Sequence, residues 1–117
     1  MKMKEIETRH GVIFGRGSLV LSSADFDFYP LKLTVKALLS LSACKPVVMG
    51  VPDVNIQFSF SDIESLSVCK VEDYPYEKYT ESSFDEVDGV YKNDRKRIVL
   101  STYDHIFDVV GKCEVIY

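Results

Sequence analysis

Apolar residues recur at every second position along much of the chain, a period typical of β-strands that bury one face. The clearest case is residues 54–60, where Val54, Ile56, Phe58 and Phe60 alternate with polar side chains. Shorter runs of similar character lie between turn-forming residues. The pattern predicts strands at residues 2–8, 12–14, 18–23, 25–29, 54–60, 66–69, 90–91, 97–102, 106–110 and 113–117.

Residues 31–43 fit two periods. Every odd position is apolar, as in a strand, whereas Lys32, Lys36 and Ser40 form the i, i+4, i+8 polar line of a helix. Thirteen residues are long for a strand, and Pro30 is suited to open a helix. A helix is therefore favoured here, with a strand as the open alternative.

Turn residues separate these segments at residues 61–64, 93–94, 103–105 and 111–112. The turn at 103–105 joins two apolar runs and predicts a tight hairpin. The turn at 93–94 predicts a second hairpin, in which residues 90–91 pair with residues 97–102. Together the pattern predicts one domain, residues 1–117, of α+β or mainly β class: a twisted antiparallel sheet or small barrel with about one helix.

Composition supports a single globular domain. The chain has 117 residues, 46% hydrophobic and 27% charged, which excludes disordered and collagen-like chains. No apolar stretch reaches the roughly 20 residues that cross a bilayer, and no secretory signal is visible at the N-terminus. We therefore expect a cytoplasmic protein without a membrane partner.

Three cysteines, Cys44, Cys69 and Cys113, lie far apart in the sequence. Their odd number and wide spacing predict free thiols, and His10 and His105 do not complete a zinc-ligand pattern. No dinucleotide or phosphate-loop motif is present. We expect neither a metal nor a cofactor.

Charge is concentrated in one segment. The formal net charge is −4, which argues against non-specific nucleic-acid binding. Residues 72–88 hold seven of the 18 acids and only one of the 14 bases, interleaved with aromatic residues. Pro75 and the closing Asp88-Gly89 pair predict a long loop.

Two interpretations of this loop remain open. It is either a solvated loop whose tyrosines lie on the sheet, or a docking surface for a protein rich in Lys and Arg. Tyrosine supplies large contact area at low entropic cost, and carboxylates select cationic groups. On the second interpretation the partner-binding residues are Glu72, Asp73, Tyr74, Tyr76, Glu77, Tyr79, Glu81, Phe84, Asp85, Glu86 and Asp88.

Catalytic signatures are weak throughout the sequence. His10 and His105 could form an acid–base pair, but both lie at predicted turns. Asp53 with residues 94–96 has a nuclease-like spacing, but Asp94 lies at a predicted turn and such short spacings arise by chance. We therefore expect no catalytic residues and no enzyme activity.

Residues 98–110, IVLSTYDHIFDVV, resemble the end of small immunity proteins from bacterial toxin systems, including contact-dependent growth inhibition. The resemblance rests on the Tyr-Asp turn and the Phe-Asp-Val strand after it. It implies a cytosolic, non-catalytic protein that binds and neutralises a cognate toxin domain, often a nuclease. A basic toxin domain is therefore the expected partner, and the oligomeric state is left open.

A second resemblance leads to an alternative function. Residues 17–28 and 56–66 are similar to the hairpin and strand pair of pleckstrin-like GRAM domains. This resemblance implies a peptide- or lipid-binding module.

Overall fold

The computed structural model describes residues 2–15, 17–76 and 82–117, and these residues form a mainly β fold, as predicted. The strands are β1 (Met3–Glu5), β2 (Glu7–Thr8), β3 (Gly11–Ile13), β4 (Leu19–Phe28), β5 (Leu31–Leu39), β6 (Cys44–Lys45), β7 (Val54–Lys70), β8 (Phe84–Val87), β9 (Lys96–Ser101) and β10 (His105–Ile116). Single 3-10 turns occupy Leu41–Ala43, Val71–Asp73 and Lys92–Asp94. No helix of the described residues is long and apolar enough to cross a membrane.

Seven strands form one antiparallel sheet in the order β1-β8-β9-β10-β7-β5-β4, and β2, β3 and β6 form a small second sheet. The long strands β7 and β10 pair with each other along most of their length and form the centre of the large sheet. The large sheet is open, with β1 at one edge and β4 at the other. Of the two predicted architectures, the antiparallel sheet is therefore correct and the small barrel is not.

The favoured helix over residues 31–43 is wrong. Residues Leu31–Leu39 are strand β5, which pairs with β4 on one side and β7 on the other, and a 3-10 turn follows. Leu33, Val35 and Leu39 point into the core, while Lys32 and other even-numbered residues point away from it. Pairing on both sides satisfies the backbone, so the two-residue period prevails over the helical one.

Two predicted turns lie inside continuous strands. Residues 61–64 belong to β7 and residues 111–112 belong to β10. The two segments face each other at the point where the register of the β7–β10 pairing shifts. Asp62 adopts a positive φ of 48°, and a Cβ on Gly111 would lie 2.9 Å from the Ser61 carbonyl oxygen. The turn-forming residues therefore build a β-bulge rather than a chain reversal.

The bulge is held by charged groups. Arg95 donates from Nε to the Asp62 carbonyl oxygen and from Nη2 to Asp62 Oδ1, both at 2.8 Å, and Lys112 Nζ lies 3.6 Å from Oδ2. The hydrogen bond from Arg95 is the main cause that lowers the pKa of Asp62.

Two hairpin predictions have different outcomes. The tight hairpin of the C-terminal half is confirmed, since β9 and β10 pair around residues 102–104. The partner of β9 on its other side is β8, Phe84–Val87, and not the predicted residues 90–91. The predicted strands 18–23 and 25–29 are one strand, β4, with a register shift between Leu21 and Ser23.

The core lies on one face of the large sheet. Phe58, Phe60, Phe84 and Phe107 are its largest members. A smaller cluster of Val87, Val99 and Ile106 lies apart from this core, and Met3, Cys69, Val71 and Tyr74 pack against it. The cysteines are free thiols.

Candidate functional site

The first part of the predicted docking segment lies against the sheet. After the 3-10 turn Val71–Asp73, the Tyr74 hydroxyl donates a hydrogen bond of 3.0 Å to Asp108 Oδ2 on β10. Burial, followed by the nearby charge of Asp108, raises the pKa of Tyr74. This tyrosine is therefore part of the fold and not of an outward-facing surface.

Arg97 on β9 completes the same cluster. Its guanidinium donates two hydrogen bonds to Asp108, at 2.9 and 2.7 Å, and lies 5.0 Å from the centre of the Tyr76 ring. The hydrogen bonds to Asp108 raise the pKa of Arg97. The Tyr74 and Tyr76 rings meet edge to face at 5.5 Å, beside a groove of about 370 Å³.

The last part of the segment is strand and not loop. Phe84 and Asp85, expected at the surface, lie in β8 with exposed fractions of 2% and 0%. Glu86 is flanked by Lys4 and Lys96, each at 3.4 Å from one of its carboxylate oxygens. Phe84 and Asp85 are therefore excluded from a docking surface, and the charge of Glu86 is neutralised within the fold.

Four of the eight described site residues predicted in this segment are exposed. Glu72, Asp73, Tyr76 and Asp88 are exposed, and Tyr74 and Glu86 are partly buried. Glu77, Tyr79 and Glu81 lie outside the described residues. The prediction took residues 72–88 as one surface. Its described part is divided among a half-buried Tyr74 with the exposed Tyr76 beside it, the buried strand β8 and separate exposed acids.

A second acidic and aromatic segment is exposed instead. The end of β4 and the turn after it carry two acids alternating with two phenylalanines, followed by a tyrosine. We call this set the β4 edge patch: Asp25, Phe26, Asp27, Phe28 and Tyr29. The exposed fractions are 40% for Phe26, 68% for Phe28 and 99% for Tyr29, and the two phenylalanine rings stack with centroids 6.3 Å apart.

The register assigns these side chains to two faces. Phe26 lies opposite Leu33 on β5, and Leu33 is fully buried in the core. The phenylalanines therefore extend the apolar face of the sheet beyond the core. Asp25 and Asp27 lie on the other face, opposite Thr34 and Lys32.

These two carboxylates differ from Glu86 and Asp108 in having no ion pair within the described part of the chain. Ser23 Oγ donates a long hydrogen bond of 3.4 Å to Asp25 Oδ2. Lys32, although opposite Asp27 in register, forms no salt bridge with it among the described residues. Both carboxylates are thus exposed, on the face of the sheet opposite to the two phenylalanine rings.

The backbone of the patch lies at a sheet edge. β4 is the terminal strand of the seven-stranded sheet and pairs with β5 on one side. On its other side, the Tyr103 N–H donates to the Leu19 carbonyl oxygen at 2.9 Å, at the very start of the strand. Over residues 23–28 the described chain provides no strand on that side.

Part of the β4 edge patch could be predicted from the sequence. The acid–aromatic alternation of residues 25–29 predicted a half-buried strand. Residues 25–28 do lie in β4, but all four are exposed, so the predicted half-burial is wrong. Its exposure could not be anticipated, because the position of a strand at the edge of a sheet depends on long-range pairing order.

The histidines belong to structural turns. His10 meets the ring of Tyr117 edge to face at 5.4 Å, and the His105 N–H donates to Thr102 Oγ1 at 3.2 Å in the β9–β10 turn. Within residues 2–15, 17–76 and 82–117, no group of three or more His, Cys, Asp or Glu side chains could hold a metal ion.

No family model matches this chain, and comparison with curated proteins and with solved structures also gives no match.

Proposed function

We propose that this chain is a non-catalytic, immunity-type inhibitor that binds a basic protein domain in the cytosol. The observation that supports it most is the β4 edge patch, in which two carboxylates outside any described ion pair flank three exposed aromatic rings. The resemblance of residues 98–110 to immunity proteins suggests the class of partner, a toxin domain.

The chemistry of the patch suits such a partner. Aromatic side chains contribute most of the affinity at many protein interfaces, and carboxylates at the rim raise the association rate with a cationic surface. A nuclease presents such a surface because its active site holds phosphates. The net charge of −4 adds a long-range attraction between this chain and a cationic partner.

The hairpin that carries the resemblance acts as scaffold in this proposal. Leu100 and Phe107 are buried in the core, and Asp108 is engaged by Arg97 and Tyr74. These residues hold the sheet together, and contact with the partner is assigned to β4.

The proposal is tested by co-expression. The test first searches for a toxin domain encoded immediately upstream of the gene for this chain, and its toxicity is read as growth of the host cells. We expect the wild-type chain to restore growth and the variant Asp25→Lys/Asp27→Lys to lose this protection, because it turns two attractive charges into repulsive ones. Purified wild-type chain should associate with the domain roughly tenfold more slowly when salt rises from low to physiological concentration.

Glu86→Gln is the matched control. Glu86 already lies between Lys4 and Lys96, so removal of its charge should leave protection intact. Growth protection by the charge-reversed β4 variant, or an association rate that does not respond to salt, would contradict the proposal.

A lipid-binding module is the second candidate, and one observation favours it. The loop between β6 and β7 exposes four apolar side chains, Val47, Val48, Met49 and Val51. Exposed apolar loops of this kind mark membrane contact sites, and the resemblance to GRAM domains implies a peptide- or lipid-binding module. Flotation of the chain with anionic vesicles, abolished by Val48→Ser/Met49→Ser, would support this candidate over the first.

A further inference from the structure

We infer that the free edge of β4 accepts an extended strand of the partner, with apolar and cationic side chains in alternation. This inference rests on the proposed function and specifies how the partner is bound. It arises from two observations made independently of each other: the open backbone edge and the two-faced side-chain pattern on it.

The backbone provides the first argument. In an antiparallel sheet, every second residue of an edge strand directs its N–H and C=O away from the neighbouring strand. The regular part of β4, residues 23–28, pairs with β5 on one side only. At roughly 3.3 Å per residue this edge is about 20 Å long, which is enough to pair a strand of typical length.

The side chains provide the second argument. An added strand continues the two faces of the sheet, so its residues alternate between the phenylalanine face and the aspartate face. On one face Phe26 and Phe28 offer apolar contact, and on the other Asp25 and Asp27 offer carboxylates. The complementary strand carries branched or aromatic residues at one set of positions and Lys or Arg at the other.

A second copy of this chain does not fit the same edge. If two β4 strands paired antiparallel around Phe26, Asp25 of each copy would lie opposite Asp27 of the other. Like charges directly opposite each other destabilise a strand pair. The charges that attract a basic strand therefore also oppose self-pairing through β4.

The experiment uses a synthetic peptide as the probe, with nine residues alternating lysine and valine. Isotopically labelled full-length chain is titrated with this peptide, and amide hydrogen exchange is followed residue by residue. We expect exchange to slow by roughly tenfold or more at every second residue of 23–28, namely at the amides that face the open edge. Slower exchange in this alternating pattern is the signature of strand pairing.

Two further peptides separate backbone from side-chain recognition. In the first peptide, the amides that would face β4 are N-methylated, so the side chains remain but the hydrogen-bond donors are lost. The affinity of this peptide should fall roughly tenfold or more, because several hydrogen bonds cannot form. In the second, glutamate replaces lysine, and binding should be lost.

The outcomes distinguish the mode of binding from the function itself. If the N-methylated peptide binds as tightly as the parent, or exchange at residues 23–28 does not slow, strand addition is wrong. If Asp25→Asn/Asp27→Asn weakens binding of the lysine–valine peptide even though strand addition is wrong, the proposal of a basic partner still stands. If these variants change neither peptide binding nor growth protection, the proposed function fails as well. Dimerisation of the free chain through β4 would also overturn the inference.

Discussion

Two regions of this molecule combine acidic and aromatic residues but have different surroundings. Residues 72–88 and the β4 edge patch both mix acids with aromatic rings. In the first, Tyr74 binds Asp108, Glu86 lies between two lysines, and Phe84 is in the core. In the second, Phe28 and Tyr29 are largely exposed, and both aspartates lie outside any described ion pair.

The difference shows that acid–aromatic composition does not by itself define a surface. A tyrosine beside a carboxylate can complete a hydrogen-bond network as readily as it can contact a partner. What distinguishes the two regions is the set of neighbours supplied by distant strands. In the first region β10 and β9 supply the partners of Tyr74 and Tyr76, and β8 pairs on both sides, whereas the described chain provides no strand beyond β4 over residues 23–28.

The largest contrast is expected for phenylalanine. Phe84→Ala should lower the free energy of unfolding by about 3–5 kcal/mol, because it opens a cavity beside Phe58, whose ring centroid lies 4.9 Å away. Phe28→Ala should change it by about 0.5 kcal/mol or less. Urea denaturation measures both values, and equal losses would remove the distinction between the two regions.

A smaller loss is expected when the Asp108 cluster is opened. Arg97→Met removes both guanidinium donors from a nearly buried carboxylate and should cost about 2–3 kcal/mol of stability. The exposed Lys96→Met is the control, with an expected cost of about 0.5 kcal/mol or less. If Arg97→Met proved as mild as Lys96→Met, the cluster would not be what holds the tyrosine segment against the sheet.

The hydroxyls of Tyr74 and Tyr29 should differ in their contribution to stability by about one hydrogen bond. Tyr74→Phe should cost about 1 kcal/mol, because its partner Asp108 Oδ2 loses a donor in a partly buried site. Tyr29→Phe should cost nothing measurable, since Tyr29 is almost fully exposed. Thermal unfolding monitored by circular dichroism compares the two, and an equal effect would refute the assignment of Tyr74 to the fold.

The smallest effect is expected from pH. The folded-state pKa of Asp62 is lowered by Arg95 below its ordinary value of 3.8, so its stabilising contribution is complete above that pH. It is lost as pH falls through the folded-state value, because the proton then abolishes the pair. Asp62→Asn and Arg95→Met should each make the free energy of unfolding less dependent on pH below 3.8. If the free energy of unfolding of these variants fell with acid as steeply as that of the wild type, the bulge would not depend on this pair.

Strands with a clear two-residue period could be predicted from the sequence, as residues 54–60 and the β9–β10 hairpin illustrate. Residues 31–43 were wrongly predicted to favour a helix, because the choice between helix and strand depends on pairing with β4 and β7. The bulge at Asp62 and Gly111 was mistaken for two turns, since the same residue types suit both structures. The β4 edge patch was recognised as a strand, but its exposure depends on strand order, which one sequence does not reveal.

Chemical-shift mapping of the isotopically labelled chain with the basic toxin domain tests the central claim most directly. The account predicts that the largest amide shifts fall on residues 23–29 and on the facing residues of β5. Shifts confined to residues 71–76 and 82–88, with β4 unchanged, would contradict it.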